Sequence, residues 1–387
     1  MRTALAAVLA ASTFVAGCSN DGTGPKVQKY AVIQSGMYHT CALTTAGAAQ
    51  CWGKDYYGPL GYGVFRDTSF VPRAVSGGLT FTSLGAGYEN TCALGTQGTI
   101  YCWGSNNAGR LGDGTWTDRA VPGPVTGAIT FASLTMGVDV ACGLTAAGTA
   151  YCWGSNEYGD AGAPLADNFV TAPRQVDGGM VFRSISTNFQ VSCGLTSAGA
   201  AYCWGSNEYG ALGVDSSTAQ SPTPLAVSGG LTFQSLSTGP GRACGVTAAG
   251  GVYCWGMKMA GDFSTNAYAP TIVPTSQAFA SVAAGTGTHV CALTATGAAW
   301  CWGPNESGEL GTTASVSGCA FSPCSNVPVP VAGGLAFSEL TTGGNGFTCG
   351  VTTDHQAYCW GENGLGQLGI GSFTNAPLPT RVAGLQQ

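Results

Sequence analysis

Seven times in this chain two cysteines stand ten positions apart, as in CALTTAGAAQCWG from Cys41 to Gly53. The pairs are Cys41 with Cys51, Cys92 with Cys102, Cys142 with Cys152, Cys193 with Cys203, Cys244 with Cys254, Cys291 with Cys301 and Cys349 with Cys359. The spacing has a geometric reading. A three-residue loop Thr45-Ala46-Gly47 puts glycine where φ must be positive. Residues 44 and 48, 43 and 49, 42 and 50, and 41 and 51 then face one another. If the first of these pairs is hydrogen-bonded, alternation makes the pair of Cys41 and Cys51 non-hydrogen-bonded, close enough for a disulfide. The same glycine returns as Gly98, Gly148, Gly199, Gly250 and Gly297, and His355 replaces it in the seventh copy. Zinc is the competing use of paired cysteines, but its ligand spacings are shorter and usually include histidine.

First cysteines of successive units lie 51, 50, 51, 51, 47 and 58 residues apart, a period that has to be read as an architecture before any local detail. In the second unit Leu79–Leu84, Asn90–Leu94 and Thr99–Trp103 read as strands. Arg119–Val125 reads as an edge strand interrupted by Pro122 and Pro124. Four short strands per unit in seven units predict an all-β, seven-bladed β-propeller with four-stranded blades. Tyr101, Cys102 and Trp103 load both faces of their strand, which suits a sheet sandwiched between neighbours. The tryptophan after the second cysteine recurs as Trp52, Trp103, Trp153, Trp204, Trp255, Trp302 and Trp360, and is expected to pack blade against blade. Residues 379–385 open an eighth unit that never continues, and Tyr30–Leu43 aligns with Phe81–Leu94 but lacks an opening. Pairing of these N- and C-terminal segments is expected to close the ring and remove its open edges.

Of the 17 cysteines, three fall outside the seven pairs. Cys319 and Cys324 lie together in an insertion, Ser315–Asn326, and form an eighth candidate disulfide. Cys18 follows Val15-Ala16-Gly17, after an apolar run from Ala4 to Ala16 preceded by Arg2. That run is too short to span a bilayer and fits a signal segment. The small residues before Cys18 resemble the lipobox of bacterial lipoproteins. Residues 1–17 are therefore expected to be a lipoprotein signal peptide, 18–29 a lipidated N-terminus and tether, and 30–387 the propeller. An acylated Cys18 would anchor the chain to a membrane outside the cytoplasm, in the bacterial cell envelope. Export to an oxidising compartment makes disulfides the natural state of the paired cysteines. Only 8% of residues are charged, the net charge is −6 and no basic run occurs, which leaves nucleic-acid binding without an electrostatic footprint.

Gly36-Met37-Tyr38-His39-Thr40, Gly87-x4-Cys92-Ala-Leu, and Tyr101-Cys102-Trp103-Gly104-Ser105-Asn106-x2-Gly109-x-Leu111-Gly112-Asp113-Gly114-Thr115 resemble repeats of the RCC1 (regulator of chromosome condensation) family. The resemblance runs from Tyr30 to Leu385 and implies a seven-bladed propeller. It implies no single activity. The eukaryotic namesake exchanges guanine nucleotide on a small GTPase and binds chromatin; neither partner is expected for an acidic, disulfide-rich, lipid-anchored chain. One similar group consists of secreted β-lactamase inhibitors. The fifth unit departs from the pattern at Met257–Asp262, and the first carries Asp55 in place of asparagine. Asn106, Asn156, Asn207, Asn305 and Asn363 are expected to form turns through their own backbone.

Fourteen residues after the second cysteine the loops carry Phe65, Trp116 and Phe373 in units one, two and seven, which are adjacent in a closed ring. Such an arc can anchor a protein or a glycan. Phe321 in the insertion is a further binding candidate. His39 and His289 share one repeat position and read as packed or hydrogen-bonded residues. No catalytic motif, metal run or cofactor signature stands out. The expected function is a non-catalytic binding or scaffold module for a protein or polysaccharide. An enzyme with a site in the central channel, or an enzyme inhibitor, is the alternative.

Overall fold

The hairpin predicted from the cysteine spacing recurs in every unit of a computed structural model that describes residues 28–257, 266–314 and 323–384. In the first unit Cys41 faces Cys51, Ala42 faces Gln50 and Leu43 faces Ala49, and the Thr44 amide donates to the Ala48 carbonyl at 2.9 Å. Gly47 has φ +81°, and the corresponding residues of the next five units fall between +81° and +84°. All seven ten-spaced pairs are disulfides with Cα atoms 4.1 Å apart. Cys41 bonds Cys51, Cys92 bonds Cys102, Cys142 bonds Cys152 and Cys193 bonds Cys203. Cys244 bonds Cys254, Cys291 bonds Cys301 and Cys349 bonds Cys359. The Cys319–Cys324 pairing lies outside the described residues, as do Cys18 and Phe321. Cys324 itself is buried at the start of an outer strand.

The second cysteine of each pair carries a feature that the spacing does not announce. Toward the outer strand the ladder slips just after it: between Cys51 and Gly53, Cys102 and Gly104, Cys152 and Gly154, and Cys203 and Gly205. The same slip falls between Cys254 and Gly256, Cys301 and Gly303, and Cys359 and Gly361. The glycine after each tryptophan takes φ between +96° and +116°, which lets the third strand bulge there. Cys152, Cys203, Cys301 and Cys359 are wholly buried, as are Cys51 and Cys102, while Cys254 is partly buried. Six of the seven bridges are therefore core elements of the blades, while Cys254 lines a pocket beside Trp255 and Arg242.

Each hairpin is the centre of a four-stranded antiparallel sheet, and there are seven such sheets. Blade 1 holds β1 (Tyr30–Ser35), β2 (His39–Thr44), β3 (Ala49–Gly53) and β4 (Ser69–Ala74). Blade 2 holds β5 (Phe81–Ala86), β6 (Asn90–Gly95), β7 (Ile100–Gly104) and β8 (Arg119–Pro124). The inner strand of blade 2 thus starts two residues later than expected from the sequence. The remaining blades repeat this order, ending with Phe337–Gly343, Phe347–Thr352, Ala357–Gly361 and Ala376–Arg381 in blade 7. Each first strand touches the first strand of the next blade, and that of blade 7 touches β1. The seven inner strands therefore surround an axis.

Three hydrogen bonds latch one blade to the next, and all three explain repeat residues. First, the carbonyl of the positive-φ turn residue accepts the amide of the aromatic that opens the following inner strand. Phe81 N donates to Gly47 O at 2.9 Å, Phe131 N to Gly98 O at 2.8 Å, and so on around the ring. A Cβ on Gly47 would lie 2.9 Å from the Phe81 carbonyl oxygen, so close approach adds to the φ requirement for glycine. Second, the tryptophan indole donates backwards to the preceding blade's loop. Trp103 Nε1 reaches Pro59 O at 2.8 Å and Trp153 Nε1 reaches Arg110 O at 3.0 Å. Third, in the four blades that carry Thr40, Thr91, Ser192 and Thr348, a hydroxyl joins the same carbonyl, as Thr91 Oγ1 does at Pro59 O. The seven tryptophans are 0–2% exposed, in accord with blade packing. A buried indole that also satisfies its N–H combines apolar burial with a specific contact.

Closure reuses these latches. Tyr30 N donates to His355 O at 3.0 Å. Trp52 Nε1 and Thr40 Oγ1 donate to Gln367 O at 2.9 and 2.8 Å. The chain ends therefore meet and seal the ring, but through side-by-side blades. Among the described residues no sheet mixes strands from the two ends: β1 to β4 form one blade and Phe337–Arg381 another. The incomplete units inferred at the termini are thus complete sheets, because the inner strand begins at Phe81 in blade 2 and at the aligned Tyr30 in blade 1, and the residues expected to open a unit lie ahead of it. Glu339 adds a bond special to this seam. Its carboxylate accepts from Ile33 N at 3.3 Å and from Gln34 Nε2 at 2.6 Å, and burial raises its pKa to about 7.

Candidate functional site

Successive strands of a blade run in opposite directions, so the loop after the first strand and the loop after the third open on the same face. The third-to-outer loops are held open from within. Asn106 Oδ1 accepts Leu111 N at 3.0 Å, while its Nδ2 donates to Thr115 O at 2.9 Å. Asn156, Asn207 and Asn363 do the same in their own loops. These asparagines therefore pin the loop five and nine to eleven residues ahead. This corrects the local turn role expected of them: the side chain is buried inside the loop, where groups farther along the chain satisfy it. In the loop of blade 1 Asp55 takes the position and accepts Asp67 N at 3.0 Å.

Phe65, Trp116 and Phe373 emerge from these loops 50%, 56% and 51% exposed. Each leans toward the outer strand of the next blade. Phe373 packs on Phe70 of blade 1 at 5.2 Å between centroids, and Trp116 packs edge-on against Phe169 of blade 3 at 5.4 Å. A Cβ on Gly58 would come within 3.1 Å of both Phe65 and Ala120, which puts Phe65 beside blade 2. The three aromatics thus mark consecutive seams on one face, from blade 7 to blade 3, instead of forming one stack.

On the same face a groove of about 430 Å³ opens where blade 1 meets blade 2, lined by Tyr57 of blade 1 and, among others, by Tyr88, Glu89, Arg110, Trp116 and Asp118 of blade 2. Its surroundings are cross-braced. Lys54 Nζ lies 3.8 Å from the Tyr56 ring centroid and 4.6 Å from that of Tyr38. Tyr38 meets Tyr88 edge-on at 5.3 Å, with hydroxyls 3.4 Å apart. Arg110 stands over Tyr88 and forms an ion pair with Asp139. Such cation–π contacts fix side chains that would otherwise be mobile. Burial raises the pKa of Glu89, and Lys54 and Arg110 oppose it. Only Trp116 of this constellation was visible in sequence as a site residue. The others come from two repeats about fifty positions apart, and their one signal was departure from the repeat, as at Lys54 where blade 2 has Ser105.

The axial channel is lined by hydroxyl and amide side chains, among them Ser35, Thr135, Asn188, Thr238, Thr286 and Thr341. His39 and His289 lie outside it as structural links. His39 Nε2 is 2.8 Å from Thr91 Oγ1, and Thr91 gives its own proton to Pro59 O, so the imidazole donates. His289 meets Thr348 in the same way at 2.7 Å. Both are fully buried, and burial lowers each pKa to about 3.

Two family models, each described as Regulator of chromosome condensation (RCC1) repeat, match the chain. One covers residues 32–58, 81–110, 131–160, 182–211 and 279–309, and the other 97–145, 198–244 and 354–387; together they take in more than half of the chain. The Arabidopsis thaliana Ultraviolet-B receptor UVR8 is 26% identical over 264 residues, 67% of this chain and 60% of that protein. Probable E3 ubiquitin-protein ligase HERC4 of Rattus norvegicus is 34% identical over 91 residues, 23% of this chain and 9% of its own length. The chain thus spans less than two thirds of these relatives. Among solved structures, human WBSCR16 superposes with a TM-score of 0.76 at 20% identity, covering 87% of this chain and 94% of its own. Prp20p of Saccharomyces cerevisiae, whose structure is reported together with its binding to Gsp1p and histones, gives 0.75 at 19% identity, covering 92% and 87%.

Proposed function

The chain belongs to the RCC1 repeat family, and from that premise we propose that it is a non-catalytic binding module, tethered outside the cytoplasm through a lipidated Cys18, that recognises a protein or polysaccharide with one face of its propeller. The observation that carries this reading is the exposure of Phe65, Trp116 and Phe373 on consecutive seams of a single face. Rigid loops presenting large rings lose little entropy on binding and supply the contact area that interfaces concentrate in a few residues. The neutral, hydroxyl-lined channel supports binding over chemistry. Seven hairpin disulfides support an oxidising location, and the apolar run before Cys18 supports export with lipid attachment. Phe321, in the insertion of the sixth unit, is proposed as a secondary contact.

The test has two arms. The full chain expressed in a bacterium should incorporate labelled fatty acid and fractionate with the envelope, and Cys18→Ala should abolish both. The lipid-free domain should capture a ligand from envelope extract, and Trp116→Ala should reduce that capture about tenfold. Unlabelled wild-type protein would refute the anchor. Capture equal in wild type and Trp116→Ala would refute the assigned face.

A further inference from the structure

We propose that the groove between blades 1 and 2 is a carbohydrate site, with Trp116 as the stacking platform and Glu89 and Asp118 as acceptors for sugar hydroxyls. This deepens the reading of the face as a binding surface and rests on it. Three observations point to a sugar.

The first is the character of the unspent groups. Both cations near the groove have aromatic or ionic partners: Lys54 lies against the Tyr38 and Tyr56 rings, and Arg110 is paired with Asp139. The carboxylates keep acceptor oxygens, with Lys54 and Arg110 acting on Glu89 only through their charge. Asp118 uses Oδ1 to accept Asn106 N at 2.8 Å and keeps Oδ2, and among the described residues no hydrogen-bond donor reaches the Glu89 carboxylate. Tyr57 and Asn107 in the same lining add neutral donors, so the groove offers acceptors and donors side by side. Sugar hydroxyls both donate and accept, and adjacent hydroxyls match the two oxygens of a carboxylate.

The second is the partition of the lining. Tyr57, Tyr88 and Trp116 contribute aromatic surface beside Glu89, Asp118 and Asn107. A pyranose is amphipathic in the same sense, with C–H groups on one face and hydroxyls around its edge. The volume of about 430 Å³ falls within the range of pockets that enclose small ligands, whereas a protein partner would sit across the open arc.

The third is preorganisation. Asp113 Oδ1 accepts both the amide and the hydroxyl of Thr115, at 2.9 and 2.7 Å, and Asp113 Oδ2 pairs with Arg119 at 2.7 Å. Burial pushes the Asp113 pKa up, but these bonds and Arg119 outweigh it and leave it lowered, so the clamp stays ionised. Trp116 follows directly, in T-shaped contact with Phe169, yet it remains more than half exposed. A ring held this firmly in water is arranged for a flat apolar partner.

The fluorescence of the lipid-free domain reads this site. Of the nine tryptophans the seven repeat ones are buried and Trp300 is partly buried, so subtracting the acrylamide quenching of Trp116→Ala isolates the signal of Trp116. Chitotriose, cellotriose and maltotriose are titrated as probes, and a broad oligosaccharide array is screened in parallel. The expected result is saturable shielding of Trp116 from acrylamide by at least one oligosaccharide class. Array retention should vanish in Trp116→Ala, and affinity should fall about tenfold in Glu89→Gln and in Asp118→Asn. Circular dichroism checks that the variants keep the fold. If no oligosaccharide binds while an envelope protein is still captured in a Trp116-dependent way, the carbohydrate assignment falls and the binding face stands. If neither binds, both fall. Sugar binding that survives all three substitutions also overturns the site.

Discussion

His39 and His289 show how a titratable side chain can be a purely mechanical part. Each is buried, donates one hydrogen bond to a threonine of the next blade, and stays neutral because burial holds its pKa near 3. The sign of the pH effect follows. The unfolded imidazole takes up a proton below its ordinary value of 6.5, whereas the folded one does not until about 3. The stability each histidine contributes is therefore present above pH 6.5 and is lost as pH falls from 6.5 toward 3. Blade 2 carries Asn90 at the same repeat position. His39→Asn should lower stability at pH 7.5 by about 1 kcal/mol through the altered hydrogen bond. Its stability should also decline less steeply between pH 6.5 and 4. Urea unfolding at both pH values measures this, and a variant whose acid decline matches the wild type would count against the buried neutral imidazole.

Hairpins are the elements on which local sequence has most authority. Ten-residue spacing, a central positive-φ residue and a following tryptophan specify the turn, the register and the buried face before any tertiary contact forms. Pairing of Cys41 with Cys51 and the φ values of the turn glycines were legible for that reason. The slip beyond Cys152, Cys203, Cys301 and Cys359 was not, because it depends on how the outer strand returns after a long loop. His355 shows where the turn rule bends. It holds φ +69° without being glycine, and its ring Nδ1 lies 3.1 Å from the Tyr30 carbonyl across the closing seam. Each bridge closes a short loop, so removing one should cost about 3 kcal/mol in the chain-entropy account. Cys92→Ala combined with Cys102→Ala should lower the stability measured by urea unfolding by that order while the fold persists, since six other hairpin bridges remain. No loss of stability would mean that the strand pairing, and not the bridge, fixes the hairpin.

At the scale of the whole molecule, seven near-identical units make a ring whose faces are not alike. Ring number and blade order could be read from the period alone. The latches could not, because each joins groups at least some thirty residues apart, as Trp103 and Pro59 do, and at closure more than three hundred, as Trp52 and Gln367 do. The groove was illegible for the same reason: Tyr57 and Tyr88 belong to different repeats, and only the closed ring brings them together. What breaks the symmetry is the run of exposed rings from blade 7 to blade 3. On the outer strands of blades 5 and 6 the exposed large apolar residues include Ile272 and Val327. The most direct test compares ligand capture by two variants of the lipid-free domain. One combines Phe65→Ala, Trp116→Ala and Phe373→Ala; the other combines Ile272→Ala and Val327→Ala. The aromatic triple should lose capture at least about tenfold while the second variant keeps it. Equal capture by both, or a loss confined to the second, would contradict the assignment of the binding face.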